Sequence, residues 1–498
     1  MKRILWTLIT LLALSTVLIL VLPTIASTNI GKKVIKSAIS QRIQGNVDIG
    51  SWELSWFGPQ VIRNIKFKNN EVEFNFSELH AKLPFWAFMT VTQLKESFLN
   101  ELEGTASLKN GNIILYDKNG STTYVENIDI NLYGDEGEEA HFDLKGNSRV
   151  GQITGSILID GKITKTSNIT DSPFSNTVKI ITANFPTKSI GKLFQIFKIK
   201  SNNKLLKILK KDPNFLFSTL GPKVNANLLI RDKDNERSVA LEMVSTNLKM
   251  NLDGSIKDNK IYLNKNLYVT CFPSNSSDNK LIESLSPLFA PSLQVNSPIT
   301  LTVFKDGFVS SYDMNIKDLK IPKATLDVGK IKCKNTKTLS TVISLFKPQK
   351  LEEISDVSIW CTPLTFEIRD RMLIAGRMDT LIADTIHIYL YGDINLTNDK
   401  IDMILGISTD TLEEMLKIKN IPSDYVFQIP VKGKLDNPKI NLSRTESKLA
   451  TLIASEKKSE KIPEIPELLD ILEEVDEKKP PPPCQRFPWQ KERLEITQ

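Results

Sequence analysis

The sequence predicts a mainly β protein, with short helices between its strands, behind one apolar N-terminal segment. Strand-like alternation is the first observation that carries this. From His387 to Leu396 the residues Ile388, Leu390, Gly392, Ile394 and Leu396 fall on one side, and His387, Tyr389, Tyr391, Asp393 and Asn395 on the other. A turn at Asn398, Asp399 and Lys400 follows. Ile401, Met403, Leu405 and Ile407 then resume the apolar side, so the pair reads as an antiparallel hairpin with one apolar and one wet face. The same alternation recurs at 126–133, 152–160, 224–230 and 425–435. Composition is the second observation: 498 residues, 41% hydrophobic and 24% charged, suffice for a large core and are too apolar for a disordered chain.

Taken in order, Lys2 and Arg3 precede an uncharged stretch whose most apolar part, Ile4 to Leu22, is long enough to cross a bilayer as a helix. A cleaved signal peptide is the rival reading, because Thr24-Ile25-Ala26 offers small residues to a peptidase. The apolar run exceeds the roughly 7–15 residues of a signal-peptide core, which favours an anchor. Ile30, Val34, Ala38, Ile39 and Ile43 then recur at helical spacing among Lys32, Lys33, Lys36 and Arg42, predicting a helix that packs on the first strands, with a helix lying on the lipid surface as the rival reading. Strands begin at Asn46, with turns at Gly58-Pro59 and Asn69-Asn70. Pro84 opens a capping helix to about Glu103. Hairpins resume from Ala106 to Thr166, with turns expected at Lys109-Asn110-Gly111, Lys118-Asn119-Gly120, 134–137 and Asp160-Gly161.

The stretch 187–211 breaks the pattern. Apolar residues there lie among Lys188, Lys192, Lys198, Lys204 and Lys207, with no acidic residue until Asp212. Such a face suits anionic lipid headgroups, so these lysines are candidate membrane-surface residues; two short helices covering a sheet end are the competing reading. The second half repeats the scheme, with strands to about Val269, a polar break at 274–278, strands from Ile299, and short helices at 281–288, 338–346 and 409–417. From about Thr445 Glu, Lys and Pro dominate, predicting an exposed helix or two and then disorder. The chain accordingly divides into an anchor (1–29), a first β region (30–185), a middle region with basic helices and strands (186–296), a second β region (297–449) and a charged, Pro-rich tail (450–498).

A net charge of +6 is small for this length and argues against nucleic acid as a partner. Three histidines and four cysteines stand far apart without ligand spacing, so neither a metal nor a cofactor is expected. No Gly-x-Ser-x-Gly elbow, phosphate loop or dinucleotide fingerprint is present, and the neighbours Glu352-Glu353 and Glu413-Glu414 read as solvated helix faces. No catalytic residues are assigned, and the chain is not expected to be an enzyme.

The helices are too few to cover so much apolar sheet. The sheet therefore packs on itself as a sandwich, closes as a barrel, or stays open along a groove; pattern alone favours the sandwich. A family resemblance weighs the other way. The segments 45–59 (GNVDIGSWELSWFGP) and 61–65 (VIRNI), then 108–115 (LKNGNIIL) and 125–130 (VENIDI), resemble the opening of AsmA-like and TamB-like proteins. The segments 392–396, 400–405 and 429–440 (IPVKGKLDNPKI) resemble their closing strands. The resemblance implies a protein anchored in the inner membrane of a diderm bacterium, with its bulk in the periplasm. It implies a long twisted antiparallel sheet curled into a groove with an apolar floor, and a role in moving phospholipids between membranes or in outer-membrane assembly. Membrane phospholipids would be its partners, with envelope proteins as further candidates. The floor would be lined by Ile128, Ile130, Leu132, Ile388, Leu390, Ile394, Leu396, Ile429 and Val431. Two other classes stay open: an assembly scaffold with a closed β-sandwich core, and a secreted adhesin-like β protein.

Overall fold

The computed structural model describes residues 27–29, 33, 36–37, 45–55, 58–82, 105–116, 122–135, 139–165, 174–190, 219–233, 236–272, 294–295, 297–312, 315–334, 356–416, 426–434, 437–440, 447–450, 487 and 489. The chain is mainly β and antiparallel, and it divides between Thr246 and Asn247 into two compact units. The expected middle region is shared between them.

The first unit is a meander of ten strands: β1 (Asn46–Glu53), β2 (Gln60–Lys68), β3 (Val72–Ala81), β4 (Thr105–Tyr116), β5 (Thr122–Asp135), β6 (Glu139–Val150), β7 (Ile153–Lys165), β8 (Phe174–Pro186), β9 (Lys223–Lys233) and β10 (Glu236–Ser245). Each pairs antiparallel with the next. Among the described residues β1 and β10 do not pair with each other, so the sheet is open. A small core forms where Phe76, Val125 and Ile128 pack with Ile65, Phe74, Leu108, Ile113 and Ile130. Before β1, Lys36 Nζ lies 3.0 Å from Asp48 Oδ1 and Ser27 Oγ accepts from Leu54 N at 3.2 Å. Ile30, Val34, Ala38, Ile39 and Ile43, which carry the expected helix before the first strand, lie outside the described residues.

Two expected turns lie instead inside strands. Asn110-Gly111 falls within β4 and Asp160-Gly161 within β7. The reason is the neighbouring strand, whose aromatic rings occupy the space a side chain would fill: Phe76 against Gly111 and Phe142 against Gly161. Asn64, Asn110 and Asn127 have φ values of 57°, 50° and 54°, and register shifts accompany the last two. The last two mark β-bulges that bend β4 and β5 and add local twist.

The second unit opens with β11 (Leu248–Lys257), β12 (Lys260–Leu263) and β13 (Leu267–Cys271). It continues through β14 (Gln294–Val295), β15 (Ile299–Val303), β16 (Ser310–Ser311), β17 (Ile321–Asp327), β18 (Lys330–Lys334), β19 (Asp356–Cys361) and β20 (Leu364–Arg369). It ends with β21 (Met372–Ile382), β22 (Ile386–Asn395), β23 (Lys400–Ser408), helix α1 (Thr409–Leu416), β24 (Val426–Lys434) and β25 (Asn437–Ile440). Several of these are halves of one interrupted strand: β14 and β15 pair with β18 and β17, which in turn pair with β19 and β20, and both of those pair with β21. The interruptions face one another around Ser297, Gly329, Thr362 and Gly376. A crease therefore crosses the sheet, bridged by Cys361 N to Gly329 O at 3.0 Å and Thr362 N to Asp379 O at 2.8 Å.

The expected antiparallel hairpin of β22 and β23 forms, with Ile388 opposite Ile407, Leu390 opposite Leu405 and Ile394 opposite Ile401. Helix α1 falls where a short helix was expected, and its Leu412 is fully buried. The wet side of β22 is a correction: Tyr389 and Tyr391 are buried with Ile404, and half-buried Val426 packs against them. Turns without glycine also occur. Ala383 and Asp384, at φ 49° and 54°, form the centre of a turn closed by Thr385 N to Ile382 O. Alanine is strained there, so Ala383→Gly is expected to raise the unfolding free energy by about 0.5–1 kcal/mol in urea titration, after the entropy cost of glycine is deducted.

The expected helices at 84–103, 281–288 and 338–346 and the apolar segment 4–22 lie outside the described residues. Among the described residues no helix is long and apolar enough to cross a membrane.

Candidate functional site

Alternation along each strand, combined with the register between strands, assembles a continuous apolar floor in the first unit. One row crosses all ten strands: Trp52, Ile62, Leu79, Leu108, Ile130, Leu144, Ile159, Ile180, Leu228 and Leu241, each directly opposite the next. A second row runs beside it through Leu132, Phe142, Gly161, Val178, Ile230 and Val239. At ~4.8 Å per strand the first row spans roughly 43 Å along the sheet. Every member of it is half-buried rather than buried. Neighbours on the same face shade these side chains from the sides. The other face carries polar and charged groups, with Arg63 paired to Glu53 at 2.6 Å, Lys162 to Glu139 at 2.6 Å and Arg149 to Glu126 at 3.1 Å.

The sequence-assigned floor residues divide into two groups. Ile130, Leu132, Leu390, Ile394 and Leu396 are half-buried. Ile128, Ile388, Ile429 and Val431 are buried, at 4%, 4%, 1% and 7% exposure, so the floor is closed over at those points. In the second unit the closure centres on Ile388, Ile407 and Phe427, opposite one another on β22, β23 and β24, beside α1. Of the candidate membrane-surface lysines, Lys188 is exposed in a helical turn at 187–190, while Lys192, Lys198, Lys204 and Lys207 lie outside the described residues.

A second constellation escaped the sequence reading. Asp379 on β21 is fully buried, and Arg377 and His387 beside it are only 11% and 15% exposed. Arg377 donates to both carboxylate oxygens, from Nε at 3.1 and 3.0 Å and from Nη2 at 2.7 Å. His387 Nε2 lies 2.9 Å from Oδ1; since a carboxylate only accepts, Nε2 carries the hydrogen. The Arg377 guanidinium also sits 3.7 Å over the Tyr389 ring, and Thr362 Oγ1 accepts from the Asp379 amide at 2.8 Å. Burial works to raise the Asp379 pKa, but the hydrogen bonds and charges of His387 and Arg377 outweigh it and hold the carboxyl below the ordinary aspartate value. A carboxylate satisfied in this way orders the structure around it. The signal available in the sequence was a pair of charged residues, Arg377 and Asp379, inside an otherwise apolar strand.

Among the described residues no group of His, Cys, Asp and Glu side chains is arranged to hold a metal ion. No protein-family model, curated protein or solved structure matches the chain.

Proposed function

We propose that this chain binds the acyl chains of phospholipids along the apolar floor of its first unit. It does so as a protein held at the inner membrane by residues 4–22, with its bulk in the periplasm, serving lipid movement between membranes or outer-membrane assembly. The observation that carries this reading is the row of ten half-buried apolar side chains from Trp52 to Leu241. An acyl chain entering water loses about 0.8 kcal/mol per methylene, so a long apolar strip offsets most of that cost without gripping a headgroup. The polar reverse face with its ion pairs keeps the other side of the sheet in water.

Photo-crosslinking residues placed at Ile159 and Leu228 are expected to capture phospholipid in cells, and residues placed at the exposed, outward-facing Lys145 and Lys179 are not. Equal capture at both faces contradicts the proposal. A scaffold role is the second reading, favoured by the buried apolar end of the second unit around Ile388, Ile407 and Phe427.

A further inference from the structure

We propose that the segment Phe487-Pro488-Trp489 is a detachable strap, an in-chain peptide ligand for a recognition site that Arg377, Asp379, His387 and Tyr389 build on the face of β21 and β22 opposite the apolar floor. Three observations carry this. Trp489 is only 8% exposed, although the tail around it has the Lys, Glu and Pro composition of a solvated chain. Its ring stacks on Phe487, with centroids 4.9 Å apart and planes within 8°. Both rings stand across the His387 imidazole, at 5.0 Å and 74° for Phe487 and at 5.6 Å and 70° for Trp489.

The surface beneath is organised without the strap. The ladder fixes Asp379 opposite Tyr389 and Leu381 opposite His387, while Arg377 and Thr362 satisfy the carboxylate and amide of Asp379. His387 is oriented in turn by Asp379, and its backbone amide donates to Thr411 Oγ1 at 3.0 Å. The strap adds two rings to a finished platform. The last ladder pairing described before it ends at Ile440, so Phe487 and Trp489 belong to no described ladder. A ligand carried on the same chain meets its site at an effective concentration that dilution does not lower, which keeps a modest contact occupied while leaving it free to open locally. The proline between the two aromatic residues restricts the free segment and lowers the entropy lost on docking. The chemistry recognised is a pair of stackable aromatic rings with one residue between them, set against a carboxylate-backed imidazole. This site is independent of the acyl-chain floor, and neither reading depends on the other.

The test uses full-length protein and a fluorescein-labelled synthetic peptide covering residues 482–494. The double variant Phe487→Ala/Trp489→Ala, with its own strap unable to dock, is expected to bind the peptide saturably in fluorescence anisotropy. The wild-type chain is expected to bind it at least tenfold more weakly, because the tethered segment competes. Adding His387→Ala to the double variant is expected to weaken binding at least tenfold. Equal binding by wild type and double variant, or none by a folded double variant, overturns the proposal. Hydrogen exchange on the unmodified chain provides a test that needs no variant. The amides of 486–491 are expected to exchange at least tenfold faster than those of β21 and β22, through local opening; equal protection means the segment is a fixed part of the core and overturns the proposal.

Discussion

Asp379→Ala is expected to destabilise the second unit by about 3–5 kcal/mol, the range for breaking a buried ion pair by removing one partner. The carboxylate is fully buried and accepts from Arg377 and His387, both largely buried themselves. Its removal leaves a guanidinium deep in the sheet without a counter-charge. Asp379→Asn is expected to cost less, since the amide oxygen still accepts one hydrogen bond. Urea unfolding monitored by hydrogen exchange of β21 and β22 reads both variants. The pH dependence has a definite sign. The folded-state pKa of Asp379 lies below its unfolded value, so the stabilisation is fully present above about pH 4 and is lost as pH falls through the folded-state value. The gap between wild type and Asp379→Asn is therefore expected to narrow steadily as pH falls below about 4.

Charging the floor separates an open groove from a closed core. Ile159 and Leu228 lie one strand either side of Ile180 and are half-buried. If water or lipid covers them, Ile159→Asp and Leu228→Asp are each expected to cost less than about 1 kcal/mol of stability while removing lipid binding by at least tenfold. In a dry sandwich core the same carboxylates would cost several kcal/mol, because an unpaired buried charge has no compensating partner. Thermal unfolding and lipid content measured on the same samples distinguish the two.

Much of the fold was legible because side chains alternate with period two. Ile388, Leu390 and Ile394 fall on one face of β22, opposite Ile407, Leu405 and Ile401, where the pattern placed them. Glycine was less readable. Gly111 and Gly161 resemble turn residues, yet each yields space to a phenylalanine ring on the neighbouring strand, a contact fixed only by long-range register. Asp370-Arg371 and Ala383-Asp384 turn the chain without glycine, so no local signal marked them. The polar cluster was missed for a related reason. Alternation puts Arg377 and Asp379 on one face of β21, but only the register of β21 on β22 sets them beside His387 and Tyr389. The tail was read from composition as solvated, and at Phe487 and Trp489 the chemistry of two aromatic side chains outweighs that of their neighbours. The apolar floor itself was half legible: the strands could be read singly, but the row from Trp52 to Leu241 exists only once ten registers are fixed.

Lipid carried by the purified full-length protein tests the floor most directly. Organic extraction followed by mass spectrometry is expected to recover phospholipid from the wild-type chain, and at least tenfold less from the Ile159→Asp/Leu228→Asp variant at equal folded content. A wild-type protein that carries no lipid, or a charged-floor variant that carries as much, would contradict the assignment of the sheet's apolar face as a lipid-binding surface.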